Sequence, residues 1–421
     1  MTRRLLLVLA LAATLAAVAA TGAQADTMLT GSLGGAPYTI KVPTNWNGTL
    51  LVYAHGYRDK ADHAGETDDR SAEASPNPAL DTVLLGQGYA LAGSAYADNG
   101  WAVKEGIHDT RLLTTFFNGR FGKPAATLLW GVSMGSVVTF AEAEHANGVF
   151  DGYLAACAVG AGTSRAWDGA LAHLLAYKAA FGMPATWGTP GNVRDDLNYE
   201  TDVLPKLLFA DTADPAYVGK LEFIRLAVQT AGPGTIPPPR IWFTGGGFFT
   251  NMFFLTEAKA ELERRAGGPP NQNLTHTYSL TPGEKAYLAL LGVNANPLLA
   301  AMNAERYPAD TSARNYAEHW ADYNGKLKGP MLTLHTQVDT LVPPAHESAY
   351  AATVAAAGRS GDLYQAFTNG QGHCNFTGLQ LLTAVAALDR WVKEGAKPTA
   401  ASFPAALGFV PGFVPPAWPQ P

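Results

Sequence analysis

Cysteine is nearly missing from this chain, with two in 421 residues, Cys157 and Cys374. That excludes a small scaffold held by many disulfides in place of a core. Charge is sparse too, at 15% against 47% hydrophobic residues, and the formal net charge is -6. No Lys/Arg run is long enough to form a nucleic-acid-binding face, so no nucleic-acid partner is expected. The mild acidic balance bears on solubility and names no other partner. Beyond the N-terminus no apolar run approaches the ~18 residues that a membrane-spanning helix needs, and no membrane association is expected. HExxH is absent, and His335, Asp339 and His346 in "HTQVDTLVPPAH" have a spacing that suits no metal site, so no metal is expected. No internal repeat is evident.

The chain opens on "MTRRLLLVLALAATLAAVAATGAQA". Arg3 and Arg4, an apolar stretch and Ala23-Gln24-Ala25 give the pattern of a secretory signal over residues 1–25, cleaved to leave a mature start near Asp26. The mature protein is then expected outside the cytoplasm. There the two cysteines either form one bridge or stay as buried thiols.

From residue 26 to 162, near-continuous apolar segments at 48–57, 88–98, 125–135 and 150–160 read as strands. Helix-compatible stretches lie at 76–87, at 108–120 and from the end of the third strand to about Asn147. Apolar strands alternating with helices predict a mostly parallel sheet with helices on both faces. The rhythm stops between residues 163 and 328, where aromatic and Gly/Pro-rich pieces ("FGMPATWGTPGN", "TAGPGTIPPPR", "FTGGGFFTNMFF") separate helical stretches such as "TEAKAELERRA". This block reads as a large, mainly helical cap inserted into the sheet domain. Its Glu and Lys residues are expected to form a solvated helix face. The rhythm resumes over 329–396, with strands at 329–339 and 362–373 and helices at 345–358 and 377–395. The tail, 397–421, is rich in proline and apolar residues and is expected to be extended on the surface or disordered.

"LLWGVSMGSVV" (128–138) carries the chemistry. Gly131-Val132-Ser133-Met134-Gly135 fits G-x-S-x-G at a strand-to-helix corner, which lifts a serine to the top of a sheet. A serine hydroxyl is a poor nucleophile without a base within hydrogen-bond reach. Asp339 ends the strand "MLTLHTQVD", and thirty-four residues later His373 follows the next strand in "NGQGHCNF". The order Ser, Asp, His suits a nucleophile, an orienting carboxylate and a base. Backbone N–H groups are needed for an oxyanion. Met134 offers one and Tyr57, after the turn in "AHGYRDK", offers another. Tyr57 also reads as an aromatic wall for substrate. His55 reads as a packing histidine. Asn99 and Trp101 in "ADNGW" read equally as pocket residues or as turn and core.

The elbow, the His-Gly turn and the Asp/His pair resemble the α/β-hydrolase superfamily over most of 35–160 and 329–395. The Tyr57/Met134 pair is similar to that of cutinase-like and polyester-degrading hydrolases. Val132 departs from them, since they often carry Trp or His there, and they lack a large cap. One branch of tannases and feruloyl esterases ties a cysteine before the serine to a cysteine after the histidine. Here Cys374 follows His373 but position 132 is valine, so the resemblance implies a bridge to Cys157 instead. The activity implied is a secreted serine hydrolase of carboxylic esters, apolar, aromatic or polymeric, needing no cofactor. A capped aminopeptidase, with Glu257, Glu261 or Glu263 to hold a substrate amine, and an acyltransferase remain as alternatives.

Overall fold

The computed structural model describes residues 27–145, 148–208, 214–228 and 247–418. The expected signal segment and "TAGPGTIPPPR" lie outside the described residues, as does the start of "FTGGGFFTNMFF".

Eight strands form one sheet: β1 Thr27–Leu33, β2 Ala36–Val42, β3 Thr49–Ala54, β4 Ala90–Ser94, β5 Ala126–Val132, β6 Gly152–Ala156, β7 Met331–Val338 and β8 Leu363–Gln371. Their spatial order is β1-β2-β4-β3-β5-β6-β7-β8. β2 runs antiparallel to both neighbours, and every pair from β4 to β8 is parallel. The helices are α1 Pro78–Gly86, α2 Val103–Phe121, α3 Met134–His145, α4 Thr163–Phe181, α5 Leu204–Leu208, α6 Tyr217–Ala227, α7 Gly247–Leu255, α8 Glu257–Ala266, α9 Pro282–Leu290, α10 Ala295–Ala304, α11 Thr311–Ala321, α12 Ala345–Ala356 and α13 Gly378–Glu394.

The period-2 geometry of a strand sends alternate side chains to opposite faces. Leu50, Val52 and Ala54 of β3 therefore join α2, α3 and α12 in one core, while Leu51 and Tyr53 join α1 and α13 in another. Burial on both faces is why these strands are apolar throughout. Helix α3 is buried on every side, from Met134 to Glu144. Helix α13 starts at a reciprocal cap: the Thr377 hydroxyl accepts from the Gln380 N–H, and the Gln380 side chain accepts from the Thr377 N–H.

Between β6 and β7 the chain builds helices α4 to α10 around a hydrophobic cluster of its own, which includes Leu174, Trp187, Phe223, Ile224, Met252 and Leu288, and then α11, whose Ala321 joins the sheet core. Helix α8, expected to be a solvated face, is buried instead. Glu257, Lys259, Glu261 and Glu263 are each at most 6% exposed. The physical reason is internal pairing: Lys259 bonds Glu263, Arg265 bonds Glu261, and Glu257 and Glu263 accept backbone N–H groups of Tyr199 and Val193.

One pair of strands was not announced by the sequence pattern, and one further expectation is corrected. The β1–β2 hairpin was not legible as strands, because β1 is mostly exposed and lacks an apolar pattern; its Gly34-Gly35 turn was the available signal. The tail is not merely laid on the surface. Phe403 and Phe409 are 2% exposed in the core under α13, and the Val410 N–H donates to the Phe367 carbonyl at 2.8 Å. Among the described residues no helix is long and apolar enough to cross a membrane.

Candidate active site

Strand β5 ends at Val132 and α3 begins at Met134, leaving Ser133 alone at the corner. Its φ of 54° is in the left-handed region, which is strained for a residue with a Cβ. The strain is held by two bonds: the Ser133 N–H donates to the Ala156 carbonyl at 3.0 Å, and its carbonyl accepts from Ser136 at 2.8 Å. The flanking glycines are required by close approach. A Cβ on Gly131 would lie 2.0 Å from the Gly135 carbonyl oxygen, and one on Gly135 would lie 2.0 Å from that of Ala54.

The two partners come from the ends of neighbouring strands. His373 Nδ1 lies 2.7 Å from Asp339 Oδ2, and His373 Nε2 lies 2.7 Å from Ser133 Oγ. An ionised carboxylate only accepts, so Nδ1 carries the ring proton and Nε2 accepts from the serine hydroxyl. Asp339 is fully buried, and its Oδ1 accepts from the N–H groups of Leu341 and Val342, both at 2.9 Å. Burial opposes its charge, but the His373 imidazole and these donors outweigh that and hold the carboxyl below its ordinary value. The three residues singled out in the sequence are thus brought together as a relay.

Both proposed oxyanion donors border the same space. Met134 is the first residue of α3, so its N–H belongs to the unsatisfied first turn of that helix. The N–H of Tyr57 has no partner among the described residues. Tyr57, Ser133 and Met134 line one cavity of about 170 Å³. The Tyr57 ring meets Phe254 of α7 edge-on at 5.1 Å, and burial pushes its hydroxyl pKa up.

Trp101 also lines this cavity, with its ring edge-on to Trp167 at 5.4 Å and its backbone N–H donating to Glu261 at 2.8 Å. Asn99 does not line it; its amide donates to the Asp59 carbonyl at 3.0 Å. His55 stacks on Tyr96 at 3.9 Å, and burial and Arg58 push its pKa down to about 4, as suits a packing residue. His335 is fully buried in β7 with Nδ1 3.0 Å from the Thr336 carbonyl oxygen. Sequence reasoning did not single out Arg165, Trp167, Phe254 or the tail's Trp418, which all line the cavity. Only the segment around Phe254 carried a signal, its run of glycine and aromatic residues.

Cys157 and Cys374 are joined in a disulfide, with Cα atoms 5.1 Å apart. Its placement links the two halves of the relay. Cys157 follows Ala156, whose carbonyl holds Ser133, and Cys374 follows His373. Among the described residues two groups of side chains are close enough to share a cation. In Cys157, His373 and Cys374 the thiols are bonded to each other and cannot serve as thiolates. The other, His63, Glu66 and Glu257, lies outside the residues lining the Ser133 cavity.

A nucleophile elbow after the fifth strand and an acid and a histidine after the next-to-last and last strands sit on one largely parallel sheet. This is the α/β-hydrolase fold. No family model and no curated protein matches the chain. Among solved structures, the chain is similar to feruloyl esterase B from Aspergillus oryzae at 14% identity, over 88% of this chain and 81% of that one, with a TM-score of 0.47. It is similar to the tannin acyl hydrolase from Aspergillus niger at 14% identity, over 87% and 77%, with a TM-score of 0.39. A proline iminopeptidase from Mycobacterium smegmatis aligns at 12% identity, over 87% and 98%, with a TM-score of 0.38. Every one of these scores is below 0.5, and the fold is carried by the strand order and the elbow themselves.

Proposed function

We propose that this α/β hydrolase is an exported serine hydrolase of carboxylic esters. The observation that carries the reading is the Ser133–His373–Asp339 relay, with both links at 2.7 Å, opening on a mainly apolar cavity. Ser133 attacks the ester carbonyl as His373 takes its proton. Asp339 keeps Nδ1 protonated and stabilises the imidazolium. The N–H groups of Met134 and Tyr57 receive the oxyanion. His373 then protonates the leaving alcohol, and the acyl-serine forms. Water, deprotonated by His373, attacks the acyl carbon and releases the acid. These steps use only the chain's own groups.

The aromatic walls, Tyr57, Trp101 and Phe254, favour an apolar or aromatic ester. The helical insertion supplies part of those walls and acts as the cap of the site. A peptidase reading is less well supported. The three glutamates that could hold a substrate amine are occupied by Tyr199, Trp101 and Val193 N–H groups, and none lines the cavity. Asp168 does line it, but it is paired with Arg314 at 2.8 Å.

The test is Ser133→Ala assayed on p-nitrophenyl esters and on amino-acid p-nitroanilides, with an alcohol acceptor added in a parallel reaction. The expected outcome is ester hydrolysis by the wild type, lost by about 10⁴-fold or more in the variant at unchanged melting temperature. Activity that survives Ser133→Ala sinks the reading. Faster anilide cleavage would make the protein a peptidase, and dominant transfer to the alcohol an acyltransferase.

A further inference from the structure

One corner of the cavity over Ser133 carries a charge that no described residue neutralises. Arg165, in the first turn of α4, lines the cavity, and among the described residues no carboxylate forms an ion pair with it. The other charged residue lining the cavity, Asp168, is already matched by Arg314. An unpaired guanidinium is costly to hold beside apolar walls unless something brings it an anion.

The surroundings of Arg165 are built from two other parts of the chain. Its guanidinium carbon lies 5.8 Å from the centre of the Trp418 ring, a cation–π distance. Trp418 arrives on the C-terminal tail, which is tied down where the Ser348 hydroxyl donates to the Pro415 carbonyl at 3.1 Å. The same indole stands edge-on to His346, ring centres 4.6 Å apart. His346 is 4% exposed, and its Nδ1 accepts from the Ala161 N–H at 3.1 Å. That bond leaves the ring proton on Nε2. Nε2–H is then a donor with no partner among the described residues, on a residue that lines the cavity.

We infer that Arg165, His346 and Trp418 form a subsite for a carboxylate carried by the ester substrate, so that half-esters of dicarboxylic acids are preferred over neutral esters. This rests on the ester-hydrolase reading and narrows its substrate class. The guanidinium fork matches a carboxylate with two parallel N–H···O bonds, the indole face supports the guanidinium plane, and the imidazole N–H supplies a further donor. The apolar walls take the rest of the acid or alcohol, which places the substrate's charge at one end and its scissile carbonyl at Ser133.

The experiment compares two esters of one frame, phenyl hydrogen glutarate and methyl phenyl glutarate, with wild type, Arg165→Gln and Arg165→Lys. Expected is a wild-type preference for the acidic ester of about tenfold or more in kcat/KM, carried mainly by KM and weakened by salt. In Arg165→Gln the ratio falls to about one, while Arg165→Lys keeps part of it. Equal rates for the two esters in the wild type, or a preference that survives Arg165→Gln, overturns the inference while leaving ester hydrolysis standing. If neither ester is cleaved, the ester reading has failed. The subsite is then read from equilibrium binding of phenyl hydrogen glutarate to the Ser133→Ala protein. Binding weakened about tenfold by adding Arg165→Gln supports it, and binding that is absent or unchanged overturns it.

Discussion

Asp339, at the end of β7, and Glu261, on α8 of the helical insertion, are both nearly inaccessible carboxylates that accept backbone N–H groups. Their second partners differ. Asp339 accepts from His373, which reaches the serine in the cavity. Glu261 pairs with Arg265, which also bonds Glu105, Asp98 and the Asn99 carbonyl. Asp98 and Asn99 lie between β4 and α2, and Glu105 lies on α2, so Glu261 and Arg265 clamp the insertion to the sheet domain. The same chemical unit thus runs a relay in one region and a joint in the other. Burial and hydrogen bonding alone do not tell the two apart; what decides is whether the chain of partners ends at a group facing the cavity.

Removing the relay carboxylate should cost the most. Asp339→Asn keeps the shape but loses the acceptor that fixes the imidazole tautomer, and kcat on an ester should fall by about 10⁴-fold. Stability should change far less than activity, and a variant that melts early without that loss of rate would make Asp339 a structural strut like Glu261. The joint should behave the other way. Arg265→Met leaves Glu261 buried without its cation and should lower unfolding free energy by about 3–5 kcal/mol. Replacing both, Arg265→Met with Glu261→Met, should recover only part of that in denaturant melts, because the Trp101 N–H then loses its acceptor and Asp98 and Glu105 lose their cation. No recovery at all would mean that the unpaired Glu261 charge is not what destabilises the single variant.

The smallest effect concerns a third buried acid, Glu347 on α12. Its Oε2 accepts from Thr333 and Gln365, its Oε1 has no partner among the described residues, and burial pushes its pKa up from 4.5 to about 7. A raised carboxyl pKa means that the folded state binds the proton more tightly than the unfolded one. This group's contribution to stability is therefore present below about pH 4.5 and declines as pH rises towards 7. Glu347→Gln should remove that decline and be more favourable at pH 8 than at pH 4 by about 3 kcal/mol. Equal effects at the two pH values would show that the folded and unfolded states bind this proton alike and that burial does not raise the Glu347 pKa.

The sheet domain was largely readable because its physics is local. Apolar runs such as "TLLVYA" and "ATLLWGV" state strand and burial together, and Gly131 and Gly135 mark a corner that no larger residue fits. The relay was readable because each member sits immediately after a strand, so sequence order stands in for position on one edge of the sheet. Strand β1 was not, because an exposed strand needs no apolar pattern. In the insertion the signal failed for a different reason. "TEAKAELERRA" has the composition of a solvated helix, and only the placement of Arg265, Lys259 and the Tyr199, Trp101 and Val193 N–H groups makes its burial possible.

By itself the sequence pointed to the alternating sheet, the strained serine corner and the aspartate and histidine that meet the serine, since each follows from a few neighbouring residues. The disulfide was one of two open options until the fold placed Cys157 beside the carbonyl that holds Ser133 and Cys374 beside His373. Tertiary structure alone decided the corner of the cavity where Arg165, His346 and Trp418 meet. These lie on α4, α12 and the C-terminal tail, up to 253 residues apart in the numbering. No local pattern encodes such a meeting, because it depends on packing the insertion and the tail over one end of the sheet.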